Sequence, residues 1–262
     1  MLLAIDAGNT NVVFAVYDGK SITHSWRCKT DAARTADEYR AFLIPLFDEA
    51  GLGFDQVSDC IISSVVPDAN FNMTHLCKSA FGITPVLVGN GELDLGIKIK
   101  IDNPKEMGAD RLLHAMAIKA HYTYPAIVVD FGTSTTYDVI DDEGAHCGGI
   151  ISPGVNLSMA ALHEAAAKLP KISIKRPPSV IGRNTVGAMQ SGIYWGVVGS
   201  VEGLIARLSN EMDVKPFVIA TGGLSPLFAG ATPAIDAHDE DLTMKGLIAI
   251  HAHLKTNATK AE

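Results

Sequence analysis

Apolar and polar positions along the chain recur with two periods, that of a half-buried strand and that of an amphipathic helix. Leu2 to Asp6 and Val12 to Asp18 are apolar, β-branched runs. Asp18 and Gly19, which lead into KSITHSWRCKT, have the composition of a two-residue hairpin turn, so an antiparallel meander is predicted at the start. In TADEYRAFLIPLFDEAG the apolar positions follow helical spacing, with Thr35 or Asp37 as N-cap and Gly51 just past the end, and DCIISSVV (59–66) returns as a buried strand. NPKEMGADRLLHAMAIKA (103–120) predicts a helix that starts near Pro104, buries Leu112, Leu113, Met116 and Ala117, and carries Gly108, Asp110 and Arg111. In GGIISPGVNLSMAALHEAAAKLP (148–170) a glycine-rich strand end and a turn at Pro153 and Gly154 precede a helix capped by Asn156. A long apolar helix follows over 181–208, with Asn184 or Thr185 near its start and small residues at Gly187, Ala188, Ser191, Gly192, Gly196, Gly199 and Ser200 that suit close helix packing. The final KTNATKAE is small, polar and charged and is expected to fray.

Comparing the chain with itself changes this picture. AIVVDFGTSTTYDVIDDEG (126–144) repeats the opening: an apolar strand ends in an Asp, a glycine follows two residues later with hydroxyl-bearing neighbours, and a second strand starts. Asp6 and Gly8 correspond to Asp130 and Gly132. The repeat divides the chain into an amino-terminal domain over 1–120 and a carboxy-terminal domain over 121–262, both α/β, each presenting its first hairpin loop to a shared cleft. Such loops cradle phosphate through backbone N–H groups and side-chain donors, here Asn9 and Thr10, with Gly8 for close approach. The carboxylate at each strand end has another use, to hold a cation that neutralises phosphate charge. A third glycine signal, Gly222 and Gly223 in FVIATGGLS (217–225), would let the backbone come close to a flat ligand or enter a helix tightly.

Composition narrows the partners. A net charge of −8 and a sequence pI near 5.5 argue against nucleic acid or an anionic membrane surface, since either calls for a basic footprint. The opening residues lack the pattern of a secretory signal and no apolar run reaches membrane-spanning length, so the cytoplasm is the expected compartment. Cys28, Cys60, Cys77 and Cys147 are scattered and read as reduced thiols. His251 and His253 are two apart, and His114, His121, His146 and His163 show no metal-binding spacing; they read as surface or satisfied core residues.

With DAGNTN, GADR, DFGTSTT and GRNTVGAMQSG in this order, the sequence closely resembles the bacterial type III pantothenate kinases, of the acetate kinase, sugar kinase, heat-shock 70 and actin superfamily. The resemblance implies duplicated ribonuclease-H-like domains and ATP-dependent phosphorylation of pantothenate at its primary hydroxyl, the first step of coenzyme A biosynthesis. It implies a first ATP and phosphate loop over Asp6, Ala7, Gly8, Asn9, Thr10, Asn11, Val12 and Val13, with Asp6 on magnesium. It further implies Asp110 as acceptor of the hydroxyl proton, Gly108, Ala109, Asp110 and Arg111 along the pantothenate site, and Asp130 on a monovalent cation, potassium or ammonium. Thr133 would touch ATP, Gly222 and Gly223 would lie near adenosine, and Thr185 would reach pantothenate from the partner subunit of a homodimer. One departure stands out: some family members carry a tyrosine before the Asn-Pro step, where this chain has Ile101 and Asp102. A free Asp, with a pKa of about 3.9, is too weak a base for an alcohol, so Asp110 suits a late proton acceptor in a loose phosphoryl transfer. Two readings stay open beside this one: a kinase of the same scaffold with another acceptor, and a nucleotide-binding regulator without turnover.

Overall fold

The computed structural model describes residues 1–89, 95–165 and 169–261. Strands β1 (Leu2–Ala7), β2 (Asn11–Tyr17) and β3 (Ile22–Lys29) form the expected meander, followed by helix α1 (Ala36–Glu49), β4 (Asp59–Ser64), α2 (Asn70–Phe81), β5 (Val86–Val88) and α3 (Ala109–His121). The second series runs β6 (Ala126–Phe131), β7 (Ser134–Ile140), β8 (His146–Pro153), α4 (Val155–Ala165), α5 (Thr185–Met212), β9 (Phe217–Thr221), α6 (Ser225–Phe228), β10 (Ala237–His238) and α7 (Leu242–Ala261).

The two sheets have the same plan. One is ordered β3-β2-β1-β4-β5 and the other, read from its opposite edge, β8-β7-β6-β9-β10. In each, the first two strand pairs are antiparallel, and the first strand lies parallel to the one after the helix. The duplication seen in 126–144 thus extends to the whole strand order.

Two compact units result: Met1–Ile97 with Asp102–Ala120 and Leu242–Glu262, and Lys98–Ile101 with His121–Asp241. They differ from a division at 120 because α7 belongs to the first unit. There Leu247 and Ile250 of α7 and Leu113 and Met116 of α3 bury one face of the first sheet with Leu2, Ala4 and Ile61. Gly246 lets the two helices cross closely, since a Cβ there would overlap the Leu113 carbonyl. The other face packs Leu3, Ile5, Phe14 and Ile62 against Tyr39, Leu43 and Phe47 of α1 and Met73 and Leu76 of α2. In the second unit Ile127, Val129, Phe131 and Tyr137 pack against Tyr194, Val198 and Val201 of α5 and Phe228 of α6.

Local punctuation explains the boundaries, and it corrects four expectations. Thr35 caps α1 in a reciprocal box with Glu38, and Asn184 caps α5 by accepting the Gly187 N–H at 2.8 Å. The first hairpin is not a two-residue turn: Asp18 accepts the N–H groups of Lys20 and Ser21, each at 2.8 Å, so four residues separate β2 from β3. No helix starts near Pro104; Pro104–Glu106 is one 3-10 turn, and α3 starts at Ala109 with Gly108 outside it. Asn156 lies within α4 rather than capping it. The carboxy-terminal stretch expected to fray continues α7 to Ala261.

Candidate functional site

Asp6 stands near the end of β1, opposite Val13 on β2 and Ser63 on β4. Four residues then link Ala7 to its partner Val12, and the Gly8 N–H closes the turn on the Asn11 carbonyl at 3.0 Å. Ala7 and Val12 are fully buried, so they can offer a ligand only their backbone; Asn9, Thr10 and Asn11 are exposed. Just past β3, Thr30 anchors the loop twice, its hydroxyl donating to the Gly8 carbonyl at 2.6 Å and its N–H to the Thr10 carbonyl at 2.9 Å. Sequence reasoning did not single out Thr30. Its role depends on a contact spanning 22 positions, and no local pattern marks it.

The start of α3 lies at the same edge of this sheet. β1, β4 and β5 are parallel, and a Cβ on Gly89, just beyond β5, would be 3.2 Å from the Ala109 Cβ. Ala109 is buried, while Asp110 and Arg111 are half-buried. This is the carboxyl edge of the parallel strands, where open α/β sheets bind ligands, and the first N–H groups of α3 add a site favourable to anions. Asp110 Oδ1 accepts the Arg111 N–H at 2.9 Å. A Cβ on Gly108 would come within 2.5 Å of that oxygen. The nearest atom to that position is the end of the Asp110 side chain, and Gly108 lies outside α3.

The second loop is one residue shorter. Three residues link Phe131 to Thr135, and the Gly132 N–H closes on the Ser134 carbonyl at 3.1 Å. Its support is a glycine rather than a threonine: Gly154, just past β8, presses on the loop so closely that a Cβ would overlap the Thr133 carbonyl and lie 2.8 Å from that of Gly132. Thr133 is exposed. Gly222 holds a φ of +90°, and a Cβ there would overlap Asp130 Oδ1 and come within 2.8 Å of the Phe131 backbone. Gly223 beside it faces open space. The turn is fixed by Ser225, whose hydroxyl donates to the Gly222 carbonyl at 2.6 Å and so accepts from His238 Nε2 at 2.7 Å. The sequence signal for a close approach is met here by Asp130 itself.

Thr185 begins α5 and lines a cavity of about 770 Å³ with Leu162, Arg183, Asn184, Met189 and Ile193. The preceding segment is tied to α5 by Ser191, whose hydroxyl donates to the Val180 carbonyl, and by Gln190 Nε2, which donates to the Ser173 carbonyl at 3.3 Å.

Two further polar clusters lie in the second unit. Asp138 and His146 form a buried pair at 3.1 Å; because His146 Nδ1 accepts the Gly148 N–H at 3.2 Å, its Nε2 donates to Asp138. Asp141 is raised by partial burial but lowered more by the Lys100 ammonium at 2.6 Å and the Ala145 N–H, which together hold it at about 2. No group of three or more His, Cys, Asp or Glu side chains forms a metal cluster among the described residues. Nor is any helix among them long and apolar enough to cross a membrane.

Comparison with known proteins gives a consistent result. A family model described as type III pantothenate kinase matches residues 2–207. The chain is 54% identical over 256 residues to the type III pantothenate kinase of Paramagnetospirillum magneticum, covering 98% of each. Among solved structures it is similar to a candidate Baf family transcriptional activator from Campylobacter jejuni, with a TM-score of 0.60 and 18% identity over 97% of this chain and 99% of that one. It is also similar to a candidate 2-dehydro-3-deoxygalactonokinase from Sinorhizobium meliloti, with a TM-score of 0.56 and 13% identity over 97% of this chain and 96% of that one. What is shared with these structures is the fold, which in this chain is two five-stranded sheets of one plan.

Proposed function

The chain belongs to the type III pantothenate kinase family, and from that membership we propose that it transfers the terminal phosphoryl group of ATP to the primary hydroxyl of pantothenate, the first step of coenzyme A biosynthesis. The observation that carries the reading beyond kinship is the recurrence of one device. An Asp-x-Gly hairpin loop ends the first strand of both sheets, and each loop is braced from the third strand's end, by Thr30 or by Gly154.

In this reading, Asp6 to Val13 form the first ATP loop, mostly through backbone N–H groups, and Thr133 adds a donor from the second. Gly222 and Gly223 are assigned to the adenosine side, and the substrate contacts to Gly108, Ala109, Asp110, Arg111 and Thr185. Asp6 would hold magnesium and Asp130 a potassium or ammonium ion. Half-buried carboxylates at strand ends, each beside a buried hydroxyl, are hard oxygen donors that fit such cations. When bound, these cations neutralise phosphate charge. The new P–O bond forms from the pantothenate hydroxyl as the bond to ADP breaks. Asp110, oriented by Gly108 and the Arg111 N–H, takes the proton late in that step.

We assign the working state to a cytoplasmic homodimer in which Thr185 serves the partner's site. Ile151, Val180 and Ile181 are 68%, 65% and 78% exposed, and Gly192, Gly196 and Gly199 of α5 face open space where a helix could approach closely.

A coupled assay of ADP release, run with and without pantothenate and with other hydroxy acids, tests the substrate. ADP release should depend on pantothenate. Asp110→Asn should lower kcat by about a hundredfold or more while pantothenate still binds, because shape is kept and the proton acceptor is lost. A variant with near-wild-type kcat would remove Asp110 from the mechanism.

A further inference from the structure

Among the described residues, two buried hydroxyls without any hydrogen-bond partner stand in matching places. Ser63 on β4 and Thr221 on β9 are 0% and 1% exposed, and neither Ser63 Oγ nor Thr221 Oγ1 finds a donor or acceptor. Each is the register partner, on the neighbouring parallel strand, of a strand-end carboxylate: Asp6 pairs with Ser63 and Asp130 with Thr221. Register partners in a parallel pair project from the same face of the sheet, so each hydroxyl stands beside its carboxylate without bonding to it. A buried hydroxyl left unpaired is costly, and one such group calls for an explanation. The two stand at equivalent points of a duplicated fold.

The second site is the more completely built. Asp130 Oδ1 lies directly over Gly222, the residue after Thr221, where any side chain would overlap it. On the other side a Cβ on Gly132 would be 3.5 Å from the same oxygen. The carboxylate is thus bracketed by two residues without side chains, and Gly222 is locked by the Ser225 and His238 hydrogen bonds. One negative charge beside one neutral oxygen suits a monovalent cation, which takes oxygen ligands and needs only one charge balanced.

We propose that Thr221 Oγ1 is a ligand of the monovalent cation at Asp130. This rests on the assignment of that cation to Asp130. Ser63 is the structural counterpart beside Asp6, where the short, strict coordination of magnesium is better met by carboxylate and water.

The test uses the full-length protein, exhaustively desalted, with potassium chloride titrated against choline chloride at fixed ionic strength and thermal unfolding as the readout. Wild type should gain stability with potassium, and Asp130→Asn should lose that gain. Thr221→Val, which keeps the shape and removes the hydroxyl, should need about tenfold more potassium or greater for the same shift. Thr221→Ser should titrate close to wild type. In potassium-free buffer Thr221→Val should melt no lower than wild type, because no hydrogen bond has been removed; a lower melting point there would show a structural hydroxyl and overturn the proposal. If Asp130→Asn loses the potassium response while Thr221→Val titrates like wild type, the Thr221 ligand is wrong and the Asp130 assignment stands. If wild type shows no potassium-specific shift, or Asp130→Asn retains it, both fall.

Discussion

At the scale of single residues, the candidate site is shaped by side chains that are absent as much as by those present. Gly108 leaves room for the Asp110 carboxylate, Gly222 for that of Asp130, and Gly154 for the loop carbonyls of Gly132 and Thr133. Thr30 is the exception, bracing the first loop with a hydroxyl. Its two bonds hold the Gly8 and Thr10 carbonyls toward β3 and so fix the shape of the loop. Thr30→Val keeps the shape and the backbone bond but strands the Gly8 carbonyl. We expect KM for ATP to rise about five- to tenfold, roughly 1 to 1.4 kcal/mol, with a smaller effect on KM for pantothenate. Thr30→Ser should restore wild-type behaviour. Equal losses for both substrates, or no rescue by Ser, would show that Thr30 supports only the fold.

Elements show how far the chain could be read unaided. The opening meander and its duplication were legible because the Asp-x-Gly hairpin and its flanking strands recur, and α5 because its spacing and Asn184 cap are local signals. The start of α3 was not: Pro104 satisfies the first turn of either helix type, and the chain uses it for a 3-10 turn before Gly108 interrupts. The bracing by Thr30 and Gly154 was missed for another reason, since each touches a loop twenty or more positions away in sequence. The short segment beside β8 was also invisible. Lys98 to Lys100 pair with His146 through backbone bonds of 3.0 and 2.8 Å, and Lys100 meets Asp141 at 2.6 Å. Asp141 is held at about 2, below the unfolded value of about 3.9, so its contribution to stability is present above that value and is lost as pH falls through the folded one. The stability gap between wild type and Asp141→Asn should therefore be constant above about pH 5 and narrow below about pH 4. Urea unfolding of both proteins over that range checks this, and a gap unchanged down to about pH 3 would refute it.

For the whole molecule, the open question is whether one chain suffices. The second unit leaves Val180 and Ile181 exposed just before α5, beside the cavity that Thr185 lines, and Ile151 and Leu157 exposed on β8 and α4. The glycines at 192, 196 and 199 remove the side chains that would keep a second helix away. A two-fold dimer through this face makes each contact twice, so it yields two equivalent sites, and in the proposed arrangement each would combine Asp110 of one chain with Thr185 of the other. Shared sites predict complementation. Asp110→Asn and Thr185→Arg should each be inactive alone, the second because a long cation replaces a small hydroxyl in the substrate pocket. In a mixed dimer both lesions fall in one site and the other is intact. After random exchange of equal amounts half the dimers are mixed, each with one working site of two, so activity should recover to about a quarter of wild type. Mass spectrometry of differently tagged chains verifies the exchange independently of activity. Verified exchange with no recovery would mean that Thr185 serves its own chain's site or none, whereas recovery cannot arise from two inactive chains whose sites are each self-contained.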